Sequence, residues 1–200
     1  MKKEILKYLG YSADAIVDDN VLSLMDNALR EVENQACFRY VYKRFDTPLP
    51  FMNKVAAYRD YVGDSPFLLC ASTLGVQIDR YLQRLQLKDM AYAAIFDATA
   101  NAFLEHASNE FEKRLDISLD FRFCPGYSGT SFADNKEIAD ALNAENIGIS
   151  FLDSGLMVPL KSMMGIIKIG EKRAKKCLDC VASDNCRFRN NGTFCFITEK

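Results

Sequence analysis

A chain of 200 residues, 49 % of them hydrophobic, has the length and composition of one compact domain with an appendage. No apolar run approaches the roughly eighteen residues of a membrane-spanning helix, which excludes that class. A formal net charge of −2 argues against general affinity for nucleic acid. Charge is nevertheless uneven: residues 161–200 carry nine Lys/Arg against four Asp/Glu, and residues 1–160 carry sixteen against twenty-three. A basic tail on an acidic body points to an anionic partner or cofactor near the C-terminus, or to a solvated basic face.

The chain begins MKKEILKYLGY, where Glu4 and Lys7 interrupt what would be the apolar segment of a signal peptide, so a cytoplasmic protein is expected. After Asp18–Asn20, which supply cap candidates, Val21, Leu22, Met25, Ala28, Leu29, Val32 and Ala36 recur at helical spacing. FRYVYKRF (38–45) reads as a strand ended by Pro48 and Pro50. PFLLCAST (66–73) reads as a buried strand running into a helix with Ile78, Tyr81, Leu82 and Leu85 on its apolar face.

A long helix follows, from about Asp89 to Arg114. Between Ala91 and Leu104 nearly every residue is apolar or small, as in a helix covered on several sides. The exceptions Asp97, Asn101 and Glu105 recur every four residues and form one polar stripe, either a solvated face or one looking into a ligand cleft. His106 is the single histidine, so it has no histidine partner for a metal site or a relay and reads as an ordinary surface or core residue.

ISLDFRF (117–123) alternates: Ile117, Leu119, Phe121 and Phe123 are expected on one face, Ser118, Asp120 and Arg122 on the other. Arg122 then enters the Pro125–Gly126 turn. A short helix at Asp134–Ala144 and strands at IGISFL (147–152) and MMGIIKI (163–169) complete the series. Helices and strands mix without regular βαβ alternation, which favours an α+β fold. Dinucleotide, Walker, zinc-protease and nucleophile-elbow motifs are absent. The one boundary falls near Gly170, separating a domain over 1–170 from a basic, cysteine-rich tail over 171–200.

RFCPGYSG (122–129) admits two readings, a surface β-turn or a ligand cradle. In the second, Gly126 lets the backbone approach a ligand, Arg122 makes a forked contact to a carboxylate, and Tyr127 stacks or donates a hydrogen bond. This segment carries R-x-x-P-G-Y. It is followed by SGLMVPLKSMMG, in which Ser154, Met157, Pro159, Ser162 and Gly165 fit S-x-x-M-x-P-x-x-S-x-x-G. Together the two motifs resemble the activation domain of cobalamin-dependent methionine synthase over about residues 90–170.

The resemblance implies an α+β domain with a twisted, mainly antiparallel sheet and flanking helices, binding S-adenosylmethionine in a shallow groove. Its role would be reactivation: an electron from flavodoxin and the methyl of S-adenosylmethionine restore methylcobalamin from cob(II)alamin. It further implies that Arg122 contacts the methionine carboxylate, and that backbone groups of Cys124 and Gly126, with Tyr127, line the adenosyl site. Asn101 takes the place of an acidic residue on the long helix, with Asp97 and Glu105 one turn away. No acid–base residue is implied, because the task is positioning. The chain has no cobalamin-binding D-x-H-x-x-G segment, so a free-standing component acting in trans is expected, with the cobalamin on a partner methionine synthase or related corrinoid protein.

Of seven cysteines, Cys37, Cys70 and Cys124 lie singly among apolar neighbours and are expected as small buried hydrophobes. The remaining four, Cys177, Cys180, Cys186 and Cys195, form C-x2-C-x5-C-x8-C among Lys and Arg residues. A C-x2-C pair grips one side of a metal from a tight turn, and the later two complete four thiolate ligands, for zinc or a [4Fe–4S] cluster. A cluster would supply an electron, directly or from a ferredoxin-like donor. Two further readings stand beside reactivation of methionine synthase: a reductive activator of another corrinoid methyltransferase, and a non-enzymatic zinc-stapled binding module.

Overall fold

The computed structural model describes residues 1–11, 15–126 and 129–171. In chain order the elements are α1 (Lys2–Leu9), α2 (Asp19–Gln35), β1 (Arg39–Phe45), α3 (Ala56–Val62), β2 (Phe67–Thr73), α4 (Val76–Gln86), α5 (Met90–Lys113), β3 (Leu119–Phe123), α6 (Asp134–Leu142), β4 (Ser150–Phe151), β5 (Met157–Val158) and β6 (Ser162–Ile169). Four strands form one sheet in the order β1-β2-β6-β3, with every neighbouring pair antiparallel. The fold is therefore α+β, as expected. β4 and β5 make a separate short hairpin.

Local chemistry explains the main elements. The Asp18 carboxylate accepts from the Asn20 amide and starts α2, whose Met25, Ala28 and Val32 are buried. Asp89 caps α5 through the Tyr92 amide, and the helix ends at Arg114, close to the bounds the sequence predicts. All seven residues of β2 are buried, as befits an inner strand covered on both faces.

One sheet face presents Phe67, Leu69, Ala71, Phe123, Met164 and Ile166 to Tyr58, Tyr61 and Val62 of α3 and to Ile138, Ala139 and Leu142 of α6. On the opposite face, Leu68, Cys70 and Ile167 pack with Tyr40 and Leu119. The C-terminal half of α5 covers this side. Phe111 stacks on Tyr40 with ring centroids 4.3 Å apart, and the Ser108 and Ser72 hydroxyls are 2.9 Å apart. The N-terminal half of α5 belongs to a second core with α1, α2 and α4, built on Ile5, Met25, Val32, Ile78 and Phe96. One helix is thus shared by both cores.

Two sequence expectations need correction. The strand expected over 147–152 shrinks to Ser150–Phe151, because residues 144–147 form a 3-10 turn. The regular alternation of 117–123 is broken by a bulge: Leu119 pairs with Ile169 but Arg122 pairs with Ile167, three residues on one strand against two on the other. Leu119 consequently joins Leu68 and Ile167, while Phe121 and Phe123 point into the opposite core. The Tyr61 hydroxyl fills the gap in the ladder, accepting from the Lys168 amide at 3.2 Å and donating to the Phe121 carbonyl.

Candidate functional site

β3 delivers Arg122 to the α5 side of the sheet, where its side chain lies flat across β6. The contact depends on Gly165: a Cβ there would stand 2.5 Å from Arg122 Cγ and 2.9 Å from Cδ. Beyond this crossing, Arg122 Nε and Nη2 donate to Glu112 Oε1 at 2.9 and 2.7 Å. Nη2 also reaches Asn109 Oδ1 at 2.9 Å, and Nη1 lies 3.3 Å from Met163 Sδ. The Arg122 and Glu112 side chains are 8 % and 14 % exposed, so this is a buried ion pair.

The Tyr40 hydroxyl donates to the same Glu112 oxygen at 2.7 Å. Burial, aided by the neighbouring Cys70 and Glu112, drives the Tyr40 phenol far above its ordinary range. Burial likewise pushes the Cys70 thiol up to about 12, with the Arg122 charge opposing it. Both groups are neutral at physiological pH, leaving Arg122 and Glu112 as the charged pair of this cluster.

The turn after β3 is also tied down internally. Gly126 has φ +97°, a left-handed conformation suited to glycine, and its amide donates to Thr130 Oγ1 at 2.8 Å. The Phe132 ring sits against it, with Cε1 2.6 Å from where a Cβ would stand. Cys124, expected as a small buried hydrophobe, is instead partly exposed at the start of this turn. Tyr127, expected to line the adenosyl site, lies outside the described residues.

The polar stripe of α5 meets a residue absent from the sequence expectations. Lys161 Nζ donates to Asp97 Oδ1 at 2.7 Å and Asn101 Oδ1 at 2.8 Å, and Asn101 Nδ2 donates to Asp97 Oδ2 at 3.2 Å. Asp97 and Asn101 also line an open cleft of about 440 Å³, shared with Tyr8 and Leu9 of α1, Leu82 and Gln86 of α4, and Met90 of α5. Glu105 accepts from the Tyr8 hydroxyl at 3.0 Å. The stripe is therefore a cleft wall at one end and a bonded face further along.

The candidate residues fall into two groups. Arg122, Cys124 and Gly126 gather at the end of β3, while Asn101 stands with Lys161. Asn109, the helix residue that Arg122 touches, is eight positions beyond Asn101, about 12 Å along the axis. Glu112 and Asn109 were not singled out from sequence. Extending the four-residue period of the stripe by one step finds Asn109. Nothing in the local pattern marks Glu112 as the partner of a strand residue.

The second motif acquires physical meaning here. Ser162 Oγ donates to the Pro159 carbonyl at 2.7 Å and lies 2.9 Å from Thr73 Oγ1, tying the end of the β5–β6 loop to β2. Gly165 makes room for Arg122. The R-x-x-P-G-Y and S-x-x-M-x-P-x-x-S-x-x-G stretches are thus joined by one side-chain crossing.

No group of three or more His, Cys, Asp or Glu able to hold a metal occurs among the described residues. Cys177, Cys180, Cys186 and Cys195 lie outside them. Cys70 is buried as expected, whereas Cys37 is exposed, at the loop that follows α2. His106 is a surface residue. No described helix is long and apolar enough to cross a membrane.

An α+β domain of this topology, with one long helix laid over a four-stranded antiparallel sheet and a Pro-Gly turn at its edge strand, defines the class. Among solved structures the chain matches the MetH reactivation domain bound to AdoHcy, with a TM-score of 0.59 and 15 % identity over 96 % of this chain and 81 % of that one. The fold implied by the two motifs is the fold found. No family model and no curated protein matches the chain.

Proposed function

We propose that this domain binds S-adenosylmethionine and supports the reductive methylation of cob(II)alamin on a cobalamin-dependent methionine synthase, the corrinoid lying outside these 200 residues. The observation that carries the reading is the meeting of the two motifs, Arg122 on Gly165, in a fold shared with the MetH reactivation domain bound to AdoHcy. Arg122, held in place by Glu112 and Asn109, is the residue this reading assigns to the methionine carboxylate. Backbone groups of Cys124 and Gly126, with Tyr127, line the adenosyl moiety; Asn101, engaged with Lys161 and Asp97 further along α5, is not brought to them. The domain supplies no acid or base; it holds the methyl donor in line with its acceptor. A cobalamin held by the partner would supply the methyl acceptor, one electron coming from a flavodoxin- or ferredoxin-like donor and S-adenosylhomocysteine leaving as the by-product.

The test is anaerobic. Purified protein, S-adenosylmethionine and a reduced flavodoxin are mixed with a cob(II)alamin methionine synthase deleted for its own reactivation domain. Loss of the cob(II)alamin spectrum with transfer of labelled methyl is expected, and an unchanged spectrum refutes the proposal.

The four tail cysteines favour a second reading, in which Cys177, Cys180, Cys186 and Cys195 hold a [4Fe–4S] cluster that reduces another corrinoid methyltransferase. Reduction of that partner without S-adenosylmethionine distinguishes it. Stoichiometric zinc in colourless, anaerobically purified protein removes the cluster and leaves a zinc-stapled tail.

A further inference from the structure

The residue left without an assignment beside the Pro-Gly turn is Phe132. Its side chain is 74 % exposed, yet it is not loosely placed. Three ring carbons, Cε1, Cζ and Cδ1, lie 2.6, 2.7 and 3.1 Å from the position of a Gly126 Cβ, so one part of the ring rests on the glycine backbone. A side chain at position 126 would displace it.

The backbone on either side is fastened. The Ser131 amide donates to Asp134 Oδ2 at 3.2 Å, and the Ala133 amide donates to Ser131 Oγ at 3.1 Å. The Phe132 carbonyl accepts from the Asn135 amide at 3.1 Å. Asp134 is itself held by the hydroxyl of the fully buried Tyr58 at 2.8 Å. A large apolar ring is thus fixed at the start of α6 with most of its surface in water. The Gly126 amide is committed to Thr130 Oγ1, and beside it the Phe132 ring presents an exposed surface.

We propose that Phe132 is the platform on which the purine of the adenosyl ligand stacks, with its free face as the contact surface. The assignment rests on the adenosyl-binding reading above. It adds a specificity-determining residue that neither motif contains. Stacking on an aromatic face selects a flat ring system over the methionine portion alone.

The chain contains no tryptophan, so Phe132→Trp places a single indole at the site. Its emission is expected to change saturably with S-adenosylmethionine and S-adenosylhomocysteine, and not with S-methylmethionine, which keeps the sulfonium and lacks the purine. In equilibrium dialysis with labelled S-adenosylmethionine, Phe132→Ala is expected to bind about tenfold or more weakly, and Phe132→Tyr within about twofold of wild type. Wild-type affinity in Phe132→Ala overturns the platform and leaves the adenosyl-binding reading standing. An indole signal that responds equally to S-methylmethionine overturns it too. Wild-type protein that binds no adenosyl compound removes both.

Discussion

The stem of Arg122 lies on the bare backbone of Gly165, and the guanidinium beyond it is clamped to Glu112. A residue of the edge strand thereby reaches over its neighbour to a helix. Gly165→Ala drives a methyl group into that stem, with the Phe123 carbonyl also 3.3 Å away. The expected loss is about 1–3 kcal/mol, the usual range for overpacking, read from urea denaturation. In a double-mutant cycle with Arg122→Ala the two losses should be clearly less than additive, because the second change removes the clash. Strict additivity would separate the two positions.

Removing Arg122 alone leaves Glu112 buried without its counter-charge. Arg122→Met is therefore expected to cost about 3–5 kcal/mol of stability as well as weakening S-adenosylmethionine binding. Arg122→Met/Glu112→Met should recover much of the stability and none of the binding. Calorimetric titration of the double variant decides between an anchor and a structural strut: retained affinity means that Arg122 does not hold the ligand.

Tyr61 occupies the break in the β3–β6 ladder, so Tyr61→Phe leaves the Lys168 amide and the Phe121 carbonyl without it. A loss of about 1 kcal/mol follows from two part-buried backbone groups giving up this hydrogen-bond partner. Hydrogen exchange at Lys168 should accelerate more than at Ile166, which keeps its register partners. Uniform acceleration along β6 would point to general destabilisation and remove the specific role of the hydroxyl.

Cys70 supplies a pH signature. Its thiol is pushed up to about 12 in the folded protein from an ordinary 9.0, chiefly by burial. The folded state therefore keeps its proton while the unfolded chain releases it. The associated stability is full below about pH 9 and is lost as pH rises toward 12, with a slope of up to about 1.4 kcal/mol per unit. Urea midpoints of the wild type should fall between pH 8.5 and 10 more steeply than those of Cys70→Ala. Parallel curves would show that the thiol titrates normally.

Much of the architecture was legible because its signals are local. Asp18 and Asp89 announce α2 and α5, and the unbroken apolar run of 66–73 announces the inner strand. Leu119 was misplaced because a bulge depends on a partner strand fifty residues away, and no alternation rule registers an inserted residue. The candidate site divided in the same manner. Arg122 and Gly126 could be read from their motif, but Glu112 and Lys161 act through contacts between distant elements. Lys161 stood in plain view between two apolar stretches, yet only the packing of the β5–β6 loop on α5 gives it Asp97 and Asn101 as partners.

The sheet order carries a consequence for engineering. Both motifs belong to residues after Met90, yet one of the two strands beside β6 is β2, from the half of the chain that bears neither. A fragment beginning at α5 would keep the motif residues and strip one flank of β6. Seven residues from Ser162 to Lys168 would lose their pairing partners and stand as an adhesive apolar edge. The motif-bearing half is not a portable module, and any minimal version of this domain has to begin upstream of Phe67.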